Sequence, residues 1–133
     1  MKVKYVVLPE MRMVKCFLTD TKYIACETLE DVDSNVMRDE YFHPRYIMPN
    51  QYLGVAYCNP NDEWNPELGK QIAYDKARAK LDRSLFKRLQ LYVNRCDKYY
   101  NDVVNSINVL GRRLSQSHSH RAERIEAALK EQD

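Results

Sequence analysis

Between Gly69 and Gly111 the chain contains neither glycine nor proline, and this uninterrupted stretch limits the possible fold more than any other feature. With no residue that stops a helix over some forty positions, the stretch is expected to be mostly helical. Its start is well marked. Asn65 is a good N-cap, Pro66 suits the first helical position, and Glu67 places negative charge at the positive end of the helix dipole. Gly69, Ala73, Ala77 and Leu81 recur every four residues, a smooth face able to lie close against a sheet, flanked by Leu68 and Ile72. Polar capping types gather at Asp82, Arg83 and Ser84, so a break is expected there, giving helices Pro66 to Leu81 and Ser84 to about Leu114; one continuous helix is the alternative. In the second segment Leu85, Leu89, Tyr92, Cys96, Tyr99, Val103, Ile107, Leu110 and Leu114 step by threes and fours to make an apolar stripe. At 1.5 Å per residue that segment is about 45 Å long and outruns a small sheet. A second copy of the chain is the expected cover, so the protein is expected to be a homo-oligomer.

Ahead of the helices the pattern is that of strands. Lys2 to Leu8 is a β-branched and aromatic run ended by Pro9, and Met13 to Leu18 reads as its hairpin partner. Tyr23 to Thr28 is a third candidate strand and Leu53 to Cys58 a fourth, the latter stopped by the turn residues Asn59, Pro60, Asn61 and Asp62. From Glu27 to Gln51 the pattern fails. An acidic cluster (Glu30, Asp31, Asp33, Asp39, Glu40) runs into aromatics (Tyr41, Phe42, Tyr46, Tyr52) broken by Pro44 and Pro49, which reads as a long ordered loop. Beyond Gly111, Ser115 to His120 reads as a flexible linker, followed by a short helix with Ala122, Ile125 and Leu129 on one side. The expected architecture is α+β: residues 1–114 form one domain, an N-terminal antiparallel sheet of three to five strands, a packed helix and a long oligomerising helix, and 115–133 are an appendage.

At 133 residues the chain has room for one domain with a real core. The N-terminus has no long apolar run, so neither a signal peptide nor a membrane span is expected, and the expected location is the cytoplasm. The four cysteines, Cys16, Cys26, Cys58 and Cys96, form no CxxC pair and sit in apolar stretches, as buried reduced thiols do. Ten tyrosines suit surfaces that are dry at one end and polar at the other. The net charge of +2 hides an asymmetry: residues 1–69 hold 7 basic and 11 acidic side chains, and residues 70–113 hold 11 and 4. A basic helical half points to phosphate-bearing partners or acidic protein surfaces, and an internally complementary dimer would show the same split.

No phosphate-binding glycine loop, HExxH or GxSxG is present, and His43 is the only histidine outside the tail, so no enzyme and no cofactor are expected. His118 and His120 lie in a serine-rich stretch without a third ligand, and no metal is expected there. Two side-chain groupings remain. Asn94, Asn101, Asn105 and Asn108, extended by Gln90 and Arg112, share one helix face although asparagine is a poor helix former. They read as a hydrogen-bonding strip for bases or riboses, with Arg112 and Arg113 holding phosphate, or as a solvated face or a register-fixing seam. Phe86 or Tyr99 would stack on a base. Lys76, Lys80, Arg83, Lys87 and Arg88 form a basic patch, either a solvated face or a grip on the phosphates of double-stranded RNA.

Two resemblances attach to the central stretch. Gly69 to Leu81 resembles the last helix of a double-stranded-RNA-binding domain, with Lys70, Lys76 and Lys80 at basic positions, but no first helix precedes the strands. The wider pattern of Gly54, Ala56, Cys58, Pro60 and Asp62, then Pro66, Glu67, Gly69, Ala73 and Ala77, resembles small bacteriophage proteins. The order of sheet and long oligomerising helices is similar to the phage anti-Thoeris sponge proteins of the first type. That resemblance implies a non-enzymatic protein of the host cytoplasm that sequesters a cyclic ADP-ribose-like defence signal between subunits. The alternatives are an inhibitor of a host defence protein complex, akin to an anti-CRISPR and using the acidic loop Glu30 to Glu40, or a double-stranded nucleic-acid-binding module using the Lys76 to Arg88 patch.

Overall fold

The computed structural model describes residues 1–32 and 44–131. Strands β1 (Lys2–Leu8), β2 (Met13–Thr19) and β3 (Gln51–Tyr57) form an antiparallel sheet in the order β1-β2-β3. Helix α1 (Ile24–Val32) lies between β2 and β3 in sequence, and α2 (Pro66–Glu131) follows the sheet. The fold is α+β, an N-terminal antiparallel sheet followed by a long C-terminal helix. No helix among the described residues is long and apolar enough to cross a membrane. The chain divides into two units, Met1–Tyr92 and Val93–Asp133.

In the first unit, strand alternation sets two different sheet faces. Val14, Cys16 and Leu18 of β2 and Tyr52 and Ala56 of β3 are buried, and with Ala25 of α1 and Ala73, Ala77 and Leu81 of α2 they form the main core. The small residues of α2 bring the helix backbone very close to β3. A Cβ on Gly54 would collide with the Ala73 carbonyl oxygen and would come within 2.5 Å of the Ala77 nitrogen. Only glycine fits opposite this alanine stripe. At Gly69 a Cβ would lie 2.7 Å from Val14 Cγ2, a side chain rather than backbone. A second cluster joins Cys26, Leu29 and Tyr46, against which Tyr23, Leu89 and Tyr92 pack. The segment leading into β3 is tied down by polar bonds: Thr21 Oγ1 donates to Pro49 O at 2.5 Å, Met48 N to Lys22 O at 2.9 Å, and the Arg88 guanidinium to Ile47 O at 3.1 and 3.2 Å.

The structure corrects several of the expectations drawn from the sequence. Tyr23 to Thr28 is not a strand; Ile24 opens α1, in which the neighbours Ala25 and Cys26 are both buried, a pattern that suits a helix and not an alternating strand. Glu30 and Asp31 therefore stand on a helix, and Asp33, Asp39, Glu40, Tyr41, Phe42 and His43 lie outside the described residues. No break occurs at Asp82 to Ser84, because the capping groups are used on the helix surface. Arg78 Nε meets Asp82 Oδ1 at 3.2 Å, and Arg88 Nη1 donates to Ser84 Oγ at 2.7 Å. The helix also continues through Ser115 to His120, where neither glycine nor proline interrupts it. The four cysteines are free, but only Cys16 and Cys26 are buried; Cys58 is partly exposed and Cys96 exposed.

Candidate functional site

The residues anticipated as a ligand site all stand on α2, but not together. Phe86 belongs to the first unit; Asn94, Tyr99, Asn101, Asn105, Asn108, Arg112 and Arg113 belong to the second, and all are exposed. At about 100° per residue, Cys96, Tyr99, Val103, Ile107, Leu110 and Leu114 fall within an arc of about 80°. The four asparagines and Arg112 fall within an arc of about 60° centred on the opposite side of the helix. Tyr99 thus sits on the apolar stripe and the amide row faces away from it, with Arg113 on a flank. Tyr99 is also engaged locally, its hydroxyl accepting from Arg95 Nε at 3.0 Å. Val109, Arg112, Arg113 and Gln116 outline an open depression of about 260 Å³ near Asn105 and Asn108.

The upper part of the expected apolar stripe is already occupied. Leu85 packs on the main core, and Leu89 and Tyr92 pack on the Tyr46 cluster, with the Tyr46 and Tyr92 rings edge-to-face at 6.4 Å. What remains uncovered begins at Cys96. Tyr99, Val103, Ile107, Leu110 and Leu114 are each more than half exposed.

The basic patch separates by role. Lys76 Nζ donates to Val55 O at 3.0 Å and Lys80 Nζ to Leu53 O at 2.7 Å, so both lysines bond the backbone of the edge strand β3. Arg88 is committed to Ile47 and Ser84. Arg83 and Lys87 are exposed.

A recess that sequence reading missed lies where β3 hands over to α2. Arg12, left-handed at φ 49°, closes the turn after β1 and sends its guanidinium to the 58–62 loop. Its Nη2 donates to Asn59 O at 3.2 Å and to Asp62 O, and lies 3.2 Å from Cys58 Sγ. Asn65 caps α2 through Leu68 N at 3.1 Å, as its position before Pro66 requires. Between loop and helix is a cleft of about 250 Å³ lined by Val14, Ala56 and Gly69, by Tyr57, Trp64, Leu68 and Ile72, and by the polar Asn59, Asp62 and Glu63. It could admit a small apolar group. The signal in the sequence was the single tryptophan, Trp64, beside the helix cap.

No family model, curated protein or solved structure matches the chain.

Proposed function

We propose that this is a self-associating binding protein, assembled through the second unit of α2. The observation that carries the reading is the uncovered stripe from Cys96 to Leu114. A helix gains most of its stability in water from packing an apolar face, and among the described residues this stretch has none packed. Steps of three and four residues suit a helix–helix seam with a second copy, which presents the same stripe. Sedimentation equilibrium of the intact chain tests it: an oligomer is expected, and replacing Ile107 and Leu110 by glutamine should return it to monomer. A wild-type chain that is monomeric at every concentration would sink the proposal.

A second reading, capture of a cyclic ADP-ribose-like nucleotide, is favoured by the grouping of Arg112 and Arg113 around the depression near Asn105 and Asn108. Guanidinium would hold phosphate, and the amides ribose or base, on the helix face that assembly through the stripe leaves open. Titration calorimetry with cyclic ADP-ribose should show binding that is lost on changing both arginines to alanine; binding that persists in that variant refutes the assignment.

A further inference from the structure

The sheet face turned away from both helices carries the clearest unassigned chemistry. Its side chains follow from the register. One row across the strands is Lys4, Phe17 and Leu53; the next is Val6, Lys15 and Val55. Leu8, Met13 and Tyr57 lie beyond at one end, and Lys2, Thr19 and Gln51 at the other. No carboxylate alternates onto this face. Lys2 pairs at the margin with Asp20, Nζ to Oδ2 3.4 Å, whereas among the described residues Lys4 and Lys15 have no acidic partner. Phe17, Lys15, Leu53 and Val55 are partly exposed and belong to neither buried cluster. The two edge lysines extend these rows, since Lys80 is bound at Leu53 and Lys76 at Val55. Each ammonium has three donors and spends one there, so its charge and remaining donors stay available. Two adjacent rows therefore each carry two lysines, with an aromatic ring between them.

From this arrangement we infer that the open sheet face binds single-stranded nucleic acid. The charge pattern selects the occupant. A dry protein surface would bury Lys15 at the centre of the face without a counter-charge, at high cost. A second copy of the same face would set lysine against lysine. A single strand answers both needs: its phosphates pair with Lys4, Lys15, Lys76 and Lys80, and an unstacked base lies on Phe17. A duplex hides its base faces and has no use for the ring.

Fluorescence anisotropy with labelled oligo(dU) and oligo(rU) of roughly a dozen nucleotides, within the usual single-strand site sizes, tests this on the intact chain. Four phosphate contacts on a single strand give a slope of about −2.8 in log affinity against log salt, so binding should weaken about fiftyfold between about 50 and about 200 mM salt. Lys4→Gln with Lys15→Gln should halve that slope, leaving about a sevenfold salt effect. Phe17→Leu, which keeps an apolar side chain in place, should cost about tenfold or more in affinity with the slope unchanged. Trp64 fluorescence in urea checks that both variants stay folded. A preference between the two oligonucleotides identifies the sugar; equal binding assigns the site to the shared backbone and base chemistry. No binding with protein at about 100 µM, the weak end of non-specific affinity, overturns the inference. So does unchanged binding in the Lys4, Lys15 variant, or equally tight binding of duplex.

Discussion

The three glycines of this chain invite one substitution with three different outcomes, and the sharpest is Gly54→Ala. Glycine in a strand interior ordinarily weakens the strand, so alanine would by default be neutral or helpful by about 0.5 to 1 kcal/mol. Here the added methyl would collide with the Ala73 carbonyl and crowd the Ala77 nitrogen, both backbone atoms of α2, and no rotamer change relieves that. Overpacking a core costs about 1 to 3 kcal/mol, and a clash against backbone belongs at the upper end, about 3 kcal/mol. At about 0.05 to 0.15 kcal/mol per residue the first unit has a total stability of only about 5 to 14 kcal/mol. The loss should lower the urea midpoint by roughly 1 to 3 M, followed by fluorescence of Trp64, which packs against this core. Gly69→Ala should be milder. Its methyl meets only the Val14 side chain, at 2.7 Å, and alanine returns about 1 kcal/mol of helix propensity. At Gly111 nothing lies within 4 Å, and alanine should raise helix stability by about 1 kcal/mol in far-ultraviolet dichroism. If Gly54→Ala were as stable as wild type, the close seating of α2 on β3 would be wrong.

Other outcomes follow from exposure and burial. Ile107 is 60% exposed and Leu110 51%; full burial of such a side chain contributes about 1.5 to 3 kcal/mol, so covering the remainder gives about 1 to 2 kcal/mol each. Replacing both by glutamine in a pair of helices should therefore weaken assembly by about 4 to 8 kcal/mol, a thousandfold or more in sedimentation analysis. Cys96 lies on the same stripe, so a thiol reagent should label it slowly in the assembled wild type and fast in that variant, as read by mass spectrometry, with Cys16 and Cys26 labelled only on unfolding. Burial pushes the thiols of Cys16 and Cys26 up from the ordinary value. Above the ordinary thiol range the unfolded state therefore holds fewer protons than the folded one, and the stability present below that range is lost as pH rises through the folded values. Urea midpoints should show this alkaline decline, and a Cys16→Ala, Cys26→Ala variant should show less of it.

Much of the architecture is legible because the relevant physics is local. Pro9 ends β1, alternation marks β2, and Asn65-Pro66-Glu67 starts α2 at the anticipated residue. The errors arise where a side chain has two possible uses. Ser84 and Asp82 are capping types, yet at spacings of four from Arg88 and Arg78 they serve the helix surface. Ala25 and Cys26 passed for part of a strand because a short apolar run does not declare its period. The candidate site was less legible still. Helical spacing alone sets the asparagine row opposite the apolar stripe, but the edge-strand role of Lys76 and Lys80 needs the partner carbonyls of Val55 and Leu53, which are some 20 residues or more away in sequence.

The bonds from Lys76 and Lys80 of α2 to the backbone of β3 also bear on how copies of the chain can combine. An exposed strand edge is a template for adding further strands, and a sheet with two such edges can grow without limit. Here the carbonyls of Leu53 and Val55 already have charged partners, and an incoming strand would have to displace two ammonium groups. Among the described residues, only β1 is left as an edge to extend. Pairing β1 with β1 uses that edge on both copies at once, so joining through it closes at a two-fold pair and adds no further strand.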